Sequence, residues 1–249
     1  CYTSLMTTPT PDTTELKRKV AIFDIDGTIF RSSLLIELVE VLIEKGIFPE
    51  RAHDDYNQKK LLWLDRKGAY DTYIMAVVAT FMKHIQGVKY DDFVVATSTV
   101  VERYRFRTYK FTEELIVNLK KEGYFLLAIS HSPKSILDPF CKELGFDKVY
   151  GKFYEVDEAG FFTGEIRDNE FISNKANVLQ RAVETENLTL DGSVGVGDSE
   201  SDIKFLELVS RPICFNPDAI LWAHAQKVGW EVVVERKNVI YDLHKNKQS

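Results

Sequence analysis

Two carboxylates two residues apart, Asp24 and Asp26, close an apolar run, Val20-Ala21-Ile22-Phe23-Asp24-Ile25-Asp26-Gly27-Thr28. In an extended strand, residues i and i+2 leave on the same face. The run would therefore deliver both acids to one place. Two such carboxylates repel each other and raise one pKa unless a cation sits between them, which favours a hard, oxygen-liganded ion such as Mg²⁺. Gly27 permits a tight turn and Thr28 adds a hydroxyl. A strand end followed by an Asp-Gly turn would use the same residues for geometry alone.

Three further groups carry chemistry-bearing side chains: Ser130-His131-Ser132-Pro133, Lys175, and Gly197-Asp198-Ser199-Glu200-Ser201-Asp202. Singly each has a structural role to hand. Ser130 suits a turn, Lys175 a solvated first helical turn, and Asp198-Ser199 an N-cap pair. Their positions argue otherwise, because two of these groups directly follow apolar runs, Tyr124 to Ile129 and Ser193 to Gly197, that read as buried strands. Ligands of open α/β sheets bind beyond the carboxyl ends of the strands. If these strands are neighbours, one site is built from all of them.

The elements that must position these residues follow from the pattern. Ser32 or Ser33 caps a helix with Leu34, Leu35, Leu38, Val39, Leu42 and Ile43 on its apolar face, ending at Gly46. Helices are predicted over Lys59 to Lys67, from Asp71 through Gln86, and from Asp91 or Asp92 through Tyr104. About four helices thus follow one strand. Thr112 then caps Glu113 to Glu122, Ser132 and Pro133 open a helix that Asp138-Pro139 should bend or split, and Asp157 to Gly160 connects a hairpin within 148 to 166. Ser173 caps the helix carrying Lys175. Ile203 to Val209 and Ala219 to Val228 are helices, and Pro212 to Phe215 and Glu231 to Val234 are strands. Such alternation implies an α/β sheet with right-handed crossovers.

At 249 residues, 45% hydrophobic and 28% charged, the chain has the composition of a soluble globular protein. Lys plus Arg numbers 32 against 38 for Asp plus Glu, a net charge of −6, so nothing in the balance points to a polyanion-binding surface and nucleic acid is not an expected partner. No apolar run is long enough to span a bilayer. Cys1, Cys141 and Cys214 form no CxxC pair and fit a reducing cytoplasm. Residues 1 to 13, rich in Thr and Pro, read as a mobile tail, and a chain opening on Cys1 as processed or trimmed.

Taken in order, Asp24-Ile25-Asp26-Gly27-Thr28, the strand ending at Ser130, Lys175, and Gly197 to Asp202 resemble the haloacid dehalogenase superfamily of phosphohydrolases over about residues 20 to 202. The helical insertion after the first motif resembles the cap of the phosphoserine phosphatase-like branch. The resemblance implies a Rossmann-like parallel-sheet core at 14–32 and 108–249, with an inserted all-helical cap at 33–107. It implies a Mg²⁺-dependent phosphomonoester phosphatase acting on a small phosphorylated metabolite. The alternatives are a phosphotransferase to an alcohol and a non-enzymatic binding protein on the same fold.

On that resemblance Asp24 attacks phosphorus to form an aspartyl phosphate, and Asp26 serves as general acid and then general base. Ser130 and Lys175 hold the phosphoryl oxygens. Mg²⁺ is bound by Asp24, the Asp26 carbonyl and Asp198, with Asp202 in support. Gly27, Thr28 and His131 lie on the substrate side, Thr28 without reacting. Phosphoserine phosphatases carry a glutamate and a cap arginine that recognise the amino acid. Here those places hold Ser33 and about Val77, and Glu37 or Arg66 could substitute only in a rearranged cap, so phosphoserine is not the expected substrate. His131 stands where the family has a small residue. Finally, Arg103, Arg105 and Arg107 alternate with aromatics, either to guide an anionic substrate or as a solvated face over buried rings.

Overall fold

A computed structural model of the chain describes residues 17–243; the tail at 1–13 and Cys1 lie outside the described residues. Strand β1 (Arg18–Phe23) leads into helix α1 (Leu34–Glu44), a 3-10 turn (Glu50–Asp55), α2 (Asn57–Leu64), α3 (Tyr70–Ile85) and α4 (Tyr90–Tyr104). After α5 (Lys110–Lys121) come β2 (Phe125–Pro133), α6 (Lys134–Leu144), and the hairpin β3 (Lys148–Val156) and β4 (Phe162–Arg167). The remainder is α7 (Asn169–Ile172), α8 (Lys175–Thr185), β5 (Leu188–Gly197), a 3-10 turn (Glu200–Asp202), α9 (Ile203–Leu206), β6 (Arg211–Phe215), α10 (Ala219–Val228), β7 (Glu231–Arg236) and β8 (Val239–Asp242).

The strands form one sheet in the order β4-β3-β2-β1-β5-β6-β7-β8. Every pair from β3 across to β7 is parallel, and only the outer pairs, β3 with β4 and β7 with β8, are antiparallel. The fold is thus the expected α/β parallel sheet with helices inserted after the first strand. β1 lies between β2 and β5, with Ile22 beside Leu127 and Gly195. Its alternation divides the core: Val20 and Ile22 pack in a cluster with α8, α9 and α10, while Ala21 and Phe23 join a larger one with α1, α3, α4 and α6. Helices cover both faces, as a run apolar on consecutive residues requires.

The inserted helices are tied down at both ends. Where the chain leaves and returns, the Arg31 N–H donates to the Arg107 carbonyl and the Tyr109 N–H to that of Ile29, both at 2.9 Å. At the far end the α3–α4 connection lies on the hairpin through Gly87 N–H to the Phe162 carbonyl (2.8 Å), Phe162 N–H to Val88 (3.0 Å) and Tyr90 N–H to Gly160 (2.9 Å). Phe93 packs edge-on against Phe162 and Phe81 against Tyr154, with centroids 4.9 and 5.1 Å apart.

Several local expectations are corrected. α6 is not split at Asp138-Pro139: Ile136, Leu137, Phe140 and Cys141 are all buried and hold the helix to the sheet across the missing donor. α3, α4 and α5 start ahead of Asp71, Asp91 and Thr112, so the two acids sit in first turns, where they favour the dipole without capping. Asn174 rather than Ser173 caps α8, accepting from Asn177. Arg103 donates to Glu44 at 2.5 and 2.7 Å, Arg105 reaches Glu143 at 3.5 Å, and Arg107 donates to Glu37 at 2.6 Å. These arginines are engaged by carboxylates rather than aimed at an anionic ligand, and Phe106 beside them is 83% exposed, not buried. Cys141 and Cys214 are buried free thiols. No helix among the described residues is long and apolar enough to cross a membrane.

Candidate active site

β1 carries its pairing one residue past its end, the Asp24 N–H donating to the Val196 carbonyl at 3.0 Å. The chain then turns sharply, Ile29 and Phe30 donating to the Ile25 carbonyl and Gly27 to those of Phe30 and Ser32. Gly27 takes φ +87°, and a Cβ there would stand 2.1 Å from Asp198 Oδ2. Glycine is therefore demanded twice over, by the left-handed backbone and by the approach of the β1 loop to the β5 loop.

Asp24, buried, accepts from Lys175 Nζ at 2.5 Å, and the same ammonium donates to Asp202 Oδ1 at 2.6 Å. Lys175 is 3% exposed and opens α8, where the helix dipole disfavours a cation. Two carboxylates compensate: although burial lowers the ammonium's pKa, Asp202 and Asp24 outweigh it and the net shift is upward. The other oxygen of Asp202 accepts from the backbone N–H groups of Asp198 and Ser199, each at 3.0 Å, and from Ser199 Oγ at 3.1 Å. Asp202 is fully engaged and holds both Lys175 and the β5 loop.

Asp26 is held from three directions. Its Oδ1 accepts the Leu34 N–H that opens α1 at 2.6 Å, and its Oδ2 accepts Ser130 Oγ and Ser132 Oγ, each at 2.7 Å. Ser132 N–H donates in turn to Ser130 Oγ at 3.0 Å. The Asp26 carboxylate thus does the capping work expected of Ser32 or Ser33; Ser33 is the N-cap residue but makes no side-chain cap bond. Thr28, fully buried, donates to Asp198 Oδ1 at 3.2 Å, and its carbonyl accepts from Thr112 Oγ1 at 3.0 Å.

Electrostatically the site carries more negative charge than Lys175 offsets. Burial pushes Asp24 up to about 7, Lys175 opposing while Asp202 and Asp26 add to the rise. Asp198 is raised well above the carboxylate range by burial, then by Asp24 and Asp202. Asp24, Asp198 and Asp202 each bring an oxygen within 4.8 Å of the others. This triad could hold a metal ion, and an all-oxygen, acid-rich donor set suits Mg²⁺. His131 behaves oppositely: burial, then the charges of Lys175 and Lys152, lower it to about 4, and its Nε2 is buried without a hydrogen-bond partner among the described residues. The imidazole is neutral at pH 7.

The structure therefore brings Asp24, Asp26, Gly27, Thr28, Ser130, Lys175, Asp198 and Asp202 to the ends of β2, β1 and β5, with His131 following Ser130 on β2. The sequence cast Ser132 as the cap of the next helix, a place that Pro133 takes, and gave Tyr70 no role. Ser132 was legible as an i+2 partner of Ser130, had the strand been extended to Pro133 rather than closed at Ile129. Tyr70, at the start of α3, left no local signal; burial and then the charges of Asp26 and Asp198 push its phenol up.

A family-wide profile described as haloacid dehalogenase-like hydrolase matches residues 21–207. Among curated relatives, the chain is 25% identical over 240 residues to a histidinol-phosphatase of Neisseria meningitidis, covering 87% of this chain and 98% of that one. It is also 25% identical over 224 residues to an inhibition of morphological differentiation protein of Streptomyces azureus, covering 88% and 79%. Among solved structures, a Bordetella pertussis protein of unknown function superposes with TM-score 0.69 at 19% identity, over 87% of this chain and 98% of that one. An apo phosphoserine phosphatase superposes with TM-score 0.61, also at 19% identity, over 89% and 96%. The profile spans most of the chain: the chain belongs to the haloacid dehalogenase-like hydrolases.

Proposed function

We propose that this hydrolase is a Mg²⁺-dependent phosphomonoester phosphatase working through a phosphorylated Asp24. The observation that supports it is the division of labour between two acids. Asp24 faces a buried ammonium at 2.5 Å, while Asp26 is fixed by one amide and two hydroxyls. Asp24 attacks phosphorus and the P–O bond to the leaving alcohol breaks, Asp26 supplying the alcohol's proton. Water then attacks the aspartyl phosphate, and Asp26 takes the proton back. Lys175 and Ser130 steady the phosphoryl oxygens, Ser132 keeps Asp26 in place when Ser130 turns to them, and Thr28 sets Asp198. Asp24, Asp198 and the backbone carbonyl of Asp26, which the hydrogen bonds of the turn leave out, are the oxygens that would hold Mg²⁺. When bound, the ion offsets negative charge on the phosphoryl oxygens.

Residues 33–107 serve as the cap over a core of 14–32 and 108–249, and the cap selects the leaving group. A small phosphorylated metabolite is the substrate class. Relatives carry names of both histidinol and phosphoserine phosphatases. Phosphoserine is disfavoured here because Ser33 and Val77 are 4% and 0% exposed and Glu37 is taken by Arg107. The test is phosphate release from alkyl phosphomonoesters with Mg²⁺, with and without added alcohol acceptors. Asp24→Asn should abolish it, and acid quenching of the wild type with labelled substrate should trap label on the protein. Retained turnover in Asp24→Asn would sink the covalent route, and transfer to alcohols in preference to water would make the chain a phosphotransferase.

A further inference from the structure

A second cavity, of about 360 Å³, is walled by β3, the end of β4, α7 and α8, a volume within the range of small-molecule sites. None of the catalytic acids lines it. Its apolar part is anchored in the core: Ile172 is buried, and Tyr150 and Phe171 pack against the same cluster, which includes Val178 and Leu179. Two guanidiniums lie over rings that also line it, Arg181 over Phe171 at 5.1 Å and Arg167 over Phe153 at 5.0 Å. A guanidinium stacked in this way keeps its in-plane N–H donors for a ligand.

The charges around the cavity are matched except for two. Lys148 pairs with Glu186 at 2.9 Å and Arg167 with Glu155 at 3.4 Å. Arg181 and Asp168 line the same cavity, yet neither has an ion pair among the described residues, with each other or with any other group. Asp168 is the N-cap residue of α7, but its side chain makes no cap bond. A simple anion attracted to Arg181 would be repelled by Asp168, and a simple cation would meet the reverse. A zwitterion satisfies both. From the unmatched pair, the apolar wall and the volume we infer that the cavity binds a free α-amino acid with an apolar side chain. Its carboxylate accepts from Arg181, its ammonium donates to Asp168, and its side chain lies against Tyr150, Phe171 and Ile172. The site stands apart from the phosphatase reading, but not from the catalytic elements: Ile172 and Lys175 flank the α7–α8 junction, so an occupied cavity holds the turn that presents Lys175 to Asp24.

Three ligands of one shape separate the zwitterion from its halves: L-phenylalanine, 3-phenylpropionate, which lacks the ammonium, and phenethylamine, which lacks the carboxylate. In thermal unfolding of the full chain, L-phenylalanine at about ten times its dissociation constant should raise Tm by about 3–6 °C. Each half should bind at least about tenfold more weakly by calorimetric titration, the size of one lost charged hydrogen bond. Arg181→Gln and Asp168→Asn should weaken L-phenylalanine by a similar factor; Gln suits an exposed helix position, and Asn accepts the left-handed backbone of Asp168 (φ +50°), so both variants should fold. Amide exchange over residues 168–175 should slow when L-phenylalanine binds. Asp24→Asn should keep the whole response, which makes the outcome independent of whether the chain is a phosphatase. No stabilisation by L-phenylalanine overturns the site. So does 3-phenylpropionate binding equally well, which would mark a plain anion site, a response unchanged in both charge variants, protection confined to other segments, or a response lost in Asp24→Asn, which would put the ligand among the catalytic acids.

Discussion

Asp26 accepts two hydroxyls on one oxygen, and this arrangement makes Ser132 worth testing apart from Ser130. A hydrogen bond to an ionised group contributes about 1.5–3 kcal/mol, so Ser132→Ala should lower kcat by about tenfold or more with KM little changed, and Ser132→Thr should restore much of it. A lowered unfolding midpoint with kcat intact would reduce Ser132 to a packing role. His131 gives a pH prediction of definite sign. Its folded pKa is depressed from 6.5 to about 4, so the unfolded chain takes up the proton first and stability is lost as pH falls from 6.5 towards 4. Between pH 7 and pH 5, urea unfolding of the wild type should lose about 1–2 kcal/mol more than that of His131→Asn; equal losses would show the imidazole to be freely protonated. At this scale the sequence was most informative where chemistry-bearing residues ended apolar runs. Asp24, Asp26 and Asp198 stood out for that reason, whereas the partners that fix Asp26, Leu34 N–H and Ser132, belong to elements brought near only by folding.

The short loops after β1 and β5 do the positioning, and their tolerance is narrow. A Cβ on Gly197 would stand 2.5 Å from Asp202 Cβ and 2.6 Å from its Cγ. Asp202 cannot give way without releasing Lys175 and the two loop amides. Gly197→Ala should therefore cost about 1–3 kcal/mol as overpacking and abolish turnover. Gly229→Ala, at φ +78° with nothing within 4 Å of its Cβ, should cost about 1 kcal/mol from backbone strain alone and leave turnover intact. Urea midpoints and phosphate release on both variants distinguish the site's steric demand from the general cost of losing a glycine. The elements themselves were legible where burial wrote a period into the sequence: α10 spans Ala219–Val228 as predicted, and α1 keeps its apolar face. Starts and edges were less so. Asp71, Asp91 and Asp92 can serve either as caps or in a first turn, and only packing decides which. β8 (Val239–Asp242) is a largely exposed edge strand of four residues, too short to show alternation. Nor could the sequence disclose that the α3–α4 connection lies on the β3–β4 hairpin.

Over the whole molecule, the sheet's two hydrophobic clusters support a site in which three carboxylates gather around one buried ammonium. Asp24 is raised from 3.8 to about 7, so in the metal-free protein its contribution to stability is present below 3.8 and is lost as pH rises through about 7. Above that pH the fold must keep Asp24 ionised beside Asp198 and Asp202, with Lys175 as the one buried ammonium among them. On the proposed reading Mg²⁺ would take the proton's place, so its affinity and its stabilising effect should both grow with pH. At about one hundred times the dissociation constant the gain is about 2.7 kcal/mol, or roughly 5–10 °C in Tm for a chain of this size. Thermal unfolding with Mg²⁺ against EDTA should show that full shift at pH 8 and a clearly smaller one at pH 6. Asp24→Asn removes both the repulsion and one oxygen ligand, so its metal-free form should melt higher than the wild type at pH 8 and respond little to Mg²⁺. A Mg²⁺ shift equal at the two pH values, or undiminished in Asp24→Asn, would place the ion away from Asp24 and leave the excess negative charge to be balanced by substrate-side groups instead.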